Sequence, residues 1–145
     1  MAFLSSLDIS GSALTAERYR MDVILQNISN AHTAATPGED PYRRKQVIFQ
    51  ERPLTFRDNL TAAQRNLTKS GGVRITEIVE NDRPFKPVYD PTNPSANEDG
   101  YVMYPNVDLT EERVDLMAAS NAYIANITAL SVVKATSMKA LEIGK

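Results

Sequence analysis

Few side chains in this sequence could carry chemistry, and their spacing argues against each in turn. Glu111 and Glu112 are paired carboxylates, the residue type used for general acid–base work. Neighbours on a helix diverge around its axis, so the pair is badly placed to share one reacting atom. His32 is the single histidine, beside a predicted helix end with no second strong ligand in register. Neither metal binding nor catalysis is expected of it. Asp90, Asn93, Asn97, Glu98 and Asp99 run into Gly100 and superficially suggest a calcium loop. The alternating spacing and closing Glu of such a loop are missing, and a proline-rich turn is expected instead. No nucleophile–base pair, glycine-rich phosphate loop or metal-ligand spacing is present. No catalytic, metal-binding or cofactor-binding residue is therefore expected, nor a small-molecule substrate.

Composition narrows the remaining classes. The chain has 145 residues, 42% hydrophobic and 23% charged, with a formal net charge of -2. That length suits one domain of ordinary size. The longest basic run is Arg43-Arg44-Lys45, too short to hold a phosphate backbone, so no nucleic-acid partner is expected. Cysteine is absent, which removes disulfides, thiolate metal sites and thiol nucleophiles together. Met1–Ser12 has neither a basic leader nor a long apolar run, so no cleaved signal peptide is expected. No stretch approaches the roughly 20 apolar residues that span a bilayer, and no direct membrane insertion is expected.

What remains is the architecture, and the hydrophobic period divides the chain into three parts. Residues 1–36 carry a helical pattern: Leu7, Leu14, Met21 and Ile28 lie seven apart, with Ile24 and Ala31 three beyond the last two. This is an a/d-type seam, interrupted at Ser10 and Glu17. Ser10 or Ser12 is the expected cap, with a frayed Met1–Ser10 and a stop near Thr33, before Pro37-Gly38. Residues 37–107 hold all eight prolines, seven of them within Pro37–Pro94. Between the breakers lie short β-type runs, Tyr42–Gln50, Val73–Val79, Lys86–Tyr89 and Tyr101–Tyr104, read as one small antiparallel sheet. Ser70-Gly71-Gly72 is the expected turn into the second run, and a loop insertion or short helix is expected around residues 54–70.

Residues 108–145 return to the helical period. Asp108 with Glu111 predicts a capping-box start, and no proline or glycine intervenes before Gly144. A helix of about 35 residues would be ~50 Å long. It is apolar on more than one stripe. Leu109, Leu116, Tyr123, Ile127 and Leu130 make one; Met117, Ile124, Met138 and Leu141 make another. A single partner helix covers only a narrow stripe, so surface is left over for other partners. The expected class is α+β: terminal helices paired as an antiparallel coiled-coil rod, with a small β-rich segment between them. Such a rod can stack head-to-tail on copies of itself into a helical tube.

The order of local motifs adds to this reading. Asp8-Ile9-Ser10-Gly11-Ser12-Ala13-Leu14-Thr15-Ala16-Glu17-Arg18 and Asn27-Ile28-Ser29-Asn30-Ala31-His32-Thr33 resemble the first helix of the axial rod and hook proteins of the bacterial flagellum. Pro41-Tyr42-Arg43-Arg44-Lys45, Tyr89-Asp90-Pro91, Asn97 through Val102, and Tyr104-Pro105-Asn106-Val107 are similar to segments of its proximal-rod members. The likeness continues from Val114 to Tyr123 and ends at Lys139-Ala140-Leu141. Asn121 and Ile124 stand where the family's C-terminal motif has a basic or polar residue and often Glu.

The resemblance implies a structural subunit of the proximal rod in the flagellar basal body. It implies export through the flagellar type III apparatus without a cleaved signal, and neighbours that are other rod proteins and copies of the chain. The residues expected at the assembly interface are Leu7, Leu14, Met21, Ile24, Asn27, Ile28, Asn30, Leu116, Met117, Tyr123, Ile124, Ile127, Leu130, Met138 and Leu141. Two readings of Asn27 and Asn30 stand together: hydrogen bonding to a neighbouring backbone, or tolerance of left-handed geometry at a helix end. The competing function is a helical adaptor that binds one partner through its long C-terminal helix. An enzyme is the weakest of the three.

Overall fold

A computed structural model describes residues 2–36, 39–56, 59–60, 63 and 71–143. In chain order the elements are α1 (Ala2–Asn30), β1 (Lys45–Glu51), β2 (Val73–Glu80), β3 (Lys86–Tyr89), β4 (Tyr101–Tyr104) and α2 (Leu109–Ile143). Terminal helices flanking a small strand region are the expected α+β arrangement.

Helix α1 departs from expectation at its start. It is helical from Ala2, running through Gly11, and no serine caps it near residue 10. The Ser12 hydroxyl donates to Ile9 O at 2.7 Å, and Thr15 donates to Gly11 O at 3.1 Å, so both bond back along the helix. The helix ends at Asn30, where Ala31 N donates to Ile28 O (3.3 Å) and Thr33 N to Asn30 O (3.1 Å). The predicted breaker Pro37-Gly38 lies outside the described residues, as do Ser70, Gly144 and most of the insertion expected at residues 54–70. Within that insertion Phe56, Asn59, Leu60 and Ala63 are helical.

The strands form two two-stranded sheets, β1–β2 and β3–β4, where a single sheet was expected. β3 and β4 are antiparallel, pairing Lys86 with Tyr104, Pro87 with Met103, Val88 with Val102 and Tyr89 with Tyr101. Val102 is buried, whereas Tyr101 and Met103 face outward, the alternation of a half-buried hairpin. The loop between them is the expected proline-rich turn. Asp90 Oδ1 accepts from Thr92 N (3.2 Å) and Thr92 Oγ1 (2.7 Å), Ser95 N donates to Asn93, and Tyr101 N donates to Asn97. The Thr92 hydrogen bonds hold the Asp90 carboxyl below its usual range. These Asx-type bonds engage Asp90, Asn93 and Asn97, three of the side chains that looked like calcium ligands.

Helix α2 runs unbroken over 35 residues. Asp108 caps it: its Oδ1 accepts from Thr110 N at 2.8 Å, and these backbone contacts lower its pKa. The reciprocal arm of the capping box is replaced, since Glu111 bonds Arg83 Nη1 at 2.9 and 3.1 Å. From Leu116 to Val133 no side chain is charged. By length and composition α2 is long and apolar enough to cross a membrane, which corrects the reading that no stretch approaches that limit. The same composition suits a helix enclosed by other helices.

By backbone contacts the chain forms two compact units. One comprises Met1–Tyr19, Ile48–Glu77 and Ala119–Lys145; the other comprises Arg20–Val47 and Ile78–Ala118. The first has Ala16 and Ala119 among its buried residues. In it Val73 N donates to Ser12 Oγ at 3.0 Å, and Arg52 N donates to Gly72 O at 2.9 Å. Gly72 has φ 82° and lies so close to Ser12 that a Cβ would strike its hydroxyl. Only glycine meets both demands without strain.

Candidate functional site

The second unit is organised around a buried polar network. Asn27, Arg44, Asn106 and Glu112 are its buried polar or charged residues, with Glu112 at 0% exposure. Asn27 comes from the last turns of α1 and Glu112 from the first turn of α2. Asn27 Nδ2 donates to Glu112 Oε2 (3.0 Å) and to Lys45 O (2.8 Å). Its Oδ1 accepts from Tyr42 OH (2.8 Å) and Lys45 N (3.0 Å). The amide thus makes four bonds and pins the start of β1 on both backbone groups.

Arg44 answers the charge of Glu112. Its Nε lies 2.5 Å from Glu112 Oε1 and its Nη2 lies 2.9 Å from Asp115 Oδ2. Glu111 stands 3.5 Å from Nη1, and Arg20 reaches Asp115 at 3.8 Å. Burial pulls the Arg44 pKa down, but the Glu112 hydrogen bond and the charges of Glu112, Asp115 and Glu111 outweigh it and hold it above its ordinary value. Burial, helped by the charges of Glu112 and Glu80, pushes the Tyr42 hydroxyl up. Asn106 completes the network: its Oδ1 accepts from Arg44 N (2.7 Å), and its Nδ2 donates to Asn81 O and Arg83 O. Every member is satisfied, so the charges can be buried. The network positions backbone, holding Lys45, Asn81 and Arg83 through their main-chain groups.

The surface of α2 is apolar in a way a lone helix would not be. Glu112 and Ala119 are buried and Leu116, Tyr123, Asn126, Leu130, Val133 and Ser137 half-buried, a spacing that alternates four and three. That is the 3.5-residue period of a packed seam. Beside it Met117 is 67% exposed and Leu141 75%, with Ile124, Ile127, Val132 and Met138 exposed between them. Scattered exposed apolar residues are ordinary, but this many spread around several sides of one helix mark an interaction surface.

The C-terminal part of the chain, residues 98–143, matches the family model described as flagellar basal body rod FlgEFG protein C-terminal. The flagellar basal-body rod protein FlgC of Bacillus subtilis is 44% identical over 150 residues, covering 100% of both chains. That of Escherichia coli O6:H1 is 42% identical over 145 residues, again covering 100% of both. That of Borreliella burgdorferi is 38% identical, covering 99% of this chain and 98% of the relative.

The chain belongs to the FlgC family. It is accordingly a structural subunit of the flagellar basal-body rod and not an enzyme, and it assembles there with other rod proteins and with itself. The resemblance read from the motifs is the right one.

Within this FlgC-family chain the expected interface residues fall into three groups. Met117, Ile124, Ile127, Met138 and Leu141 are exposed. Leu7, Leu14, Met21, Ile28, Asn30, Leu116, Tyr123 and Leu130 are half-buried. Ile24 and Asn27 are buried, and the Asn27 amide is engaged within its own chain. Asn30 Nδ2 bonds back to Gln26 O at 2.8 Å. Sequence reasoning missed Arg44, Asn106 and Glu112 as buried positions. One signal was present: Glu112 lies four residues before Leu116 and seven before Ala119, on the seam itself.

Proposed function

We propose that this subunit polymerises through its terminal helices, α1 and α2 pairing as an antiparallel coiled coil and the exposed stripe of α2 docking on neighbouring subunits. The carrying observation is the exposed apolar surface from Met117 to Leu141, on a helix that already has a packed period of its own. Non-closing, head-to-tail contacts of this kind produce a helical tube, the form of the proximal rod that serves as drive shaft. The half-buried Leu7, Leu14, Met21 and Ile28 flank α1's buried positions and are placed to become fully covered on assembly. In this reading residues 1–36 and 108–145 build the rod core and residues 37–107 form a β-rich segment beside it. Delivery is through the flagellar type III export apparatus without a cleaved signal, as the family resemblance implies. Nucleic acid, a small-molecule substrate and direct membrane insertion have no part in it.

The test is electron cryotomography of basal bodies in cells lacking the chain, complemented with wild type or with Met117→Lys and Ile124→Lys together. Rods restored by wild type and missing with the charged variant support the reading. Intact rods and swimming cells without the chain would overturn it and favour the helical adaptor.

A further inference from the structure

The β3–β4 hairpin presents an apolar face that its own unit leaves open. Pro87 opposite Met103 and Tyr89 opposite Tyr101 lie on one side of the sheet. Tyr89, Tyr101 and Met103 are exposed, the two rings meeting edge to face at 5.3 Å. Pro87, Tyr101 and Met103 also line a groove of about 630 Å³, together with Pro41 and Phe85. Arg43 stacks over Phe85 at 4.4 Å and steadies that wall. The charged side chains among the lining residues are Glu39 and Asp40, both acidic and exposed. The loop that lends Ser95, Ala96 and Asn97 to the groove adds Asp90, Glu98 and Asp99 and no basic residue.

Grooves walled by aromatic and proline side chains take extended, proline-containing segments, and an acidic rim selects basic ones. This chain carries a proline-containing, basic segment in Arg52-Pro53-Leu54-Thr55-Phe56-Arg57, non-helical over Arg52–Thr55 and entering a helical turn at Phe56. Phe56 is 83% exposed, Leu60 one turn later is exposed, and Arg52 and Pro53 face solvent. Pro53 fixes its own φ and biases Arg52 to extended backbone, so little order is lost on docking.

We propose that the segment Arg52–Phe56 of one copy docks in this groove of a second copy, Phe56 entering beside Phe85 and Tyr101 and Arg52 facing Glu39 and Asp40. Segment and groove are different surfaces, so the contact is head-to-tail and repeats from copy to copy. It rests on the rod-subunit reading for its polymeric setting, but uses none of the α2 stripe.

The chain lacks cysteine, which makes disulfide trapping clean. Phe56→Cys protein mixed with Tyr101→Cys protein should form a mixed disulfide about tenfold faster than a control pair in which Ile143→Cys replaces Phe56→Cys. Glu39→Lys with Asp40→Lys should slow it several-fold, and Arg52→Glu on the other partner should restore it. Trapping no faster than the control, with circular dichroism showing both proteins folded, would sink the proposal. The same pairs carrying Met117→Lys separate the two ideas. Trapping that survives while polymer is lost supports the groove contact alone; trapping lost in polymer that still assembles overturns this inference and leaves the helix reading standing.

Discussion

Asn27 Nδ2 lies 3.0 Å from Glu112 Oε2, joining positions 85 residues apart in a pair shielded from water. A neutral amide and a carboxylate this far apart in sequence fix the end of α1 against the start of α2. Asn27→Ala leaves the Lys45 amide and Tyr42 hydroxyl without their acceptor and should cost about 2–4 kcal/mol, the sum of a few buried hydrogen bonds. Urea unfolding monitored by far-UV circular dichroism measures it. Asn27→Asp should be worse, because it sets a second carboxylate beside Glu112.

Removing Glu112 leaves Arg44 buried and short of its main partner. Glu112→Ala should destabilise by about 3–5 kcal/mol, as expected for breaking a buried ion pair from one side. Replacing Arg44 and Glu112 together by Met and Leu should recover much of that loss. A double-mutant cycle that found the effects additive would remove the pair from the account.

Asp108 gives a pH dependence whose sign follows from its lowered pKa. A carboxyl depressed in the folded state adds stability that is complete above its unfolded value, about 4, and is lost as pH falls through the folded value. Asp108→Asn keeps the cap but removes the titration. Its stability curve should therefore lie closest to wild type in acid and fall below it toward neutral pH, read by thermal melts across that range.

Gly72→Ala combines a left-handed backbone with a collision at Ser12. The φ penalty alone is about 1–2 kcal/mol. The displaced Ser12 hydroxyl also loses Val73 N. Hydrogen exchange should show faster opening at Val73, while Gly11→Ala, with open space around it, should stabilise α1 by about 0.5–1 kcal/mol.

Charge on the exposed stripe should separate assembly from folding. Ile124→Lys should shift monomer stability within about 0.5 kcal/mol. Sedimentation of purified protein should nonetheless show self-association lost. Leu130→Ala, on the half-buried seam, should instead lower monomer stability.

The helices and strands were legible because their signals are local. Proline spacing, alternation over Tyr101–Tyr104 and the unbroken run from Asp108 to Ile143 each act within a few residues. Boundaries failed where a tertiary contact intervened. The expected fraying of Met1–Ser10 gives way to a helix that begins at Ala2, and Ser12, an expected cap, instead has its hydroxyl engaged by Val73 N. The division into two sheets could not be read, since pairing depends on which strand ends the long connections bring together. The apolar stripe of α2 was visible from spacing alone. The buried network was not: an Arg within a basic run and one Glu of an adjacent pair look solvent-facing in sequence, and Asn106 and Asn27, remote along the chain, help make their burial tolerable.

The ties of that network close over 62, 68 and 85 residues. Contacts so remote reward the chain late, after the entropy of large loops has been lost, so this unit should fold slowly for its size. During synthesis Tyr42 and Lys45 follow Asn27 closely, but its partner on the second helix does not. At about 5–20 residues per second, Glu112 follows roughly 4–17 s later. For that interval the first helix lacks its tie to the second, and the chain remains open to whatever machinery takes it before it closes.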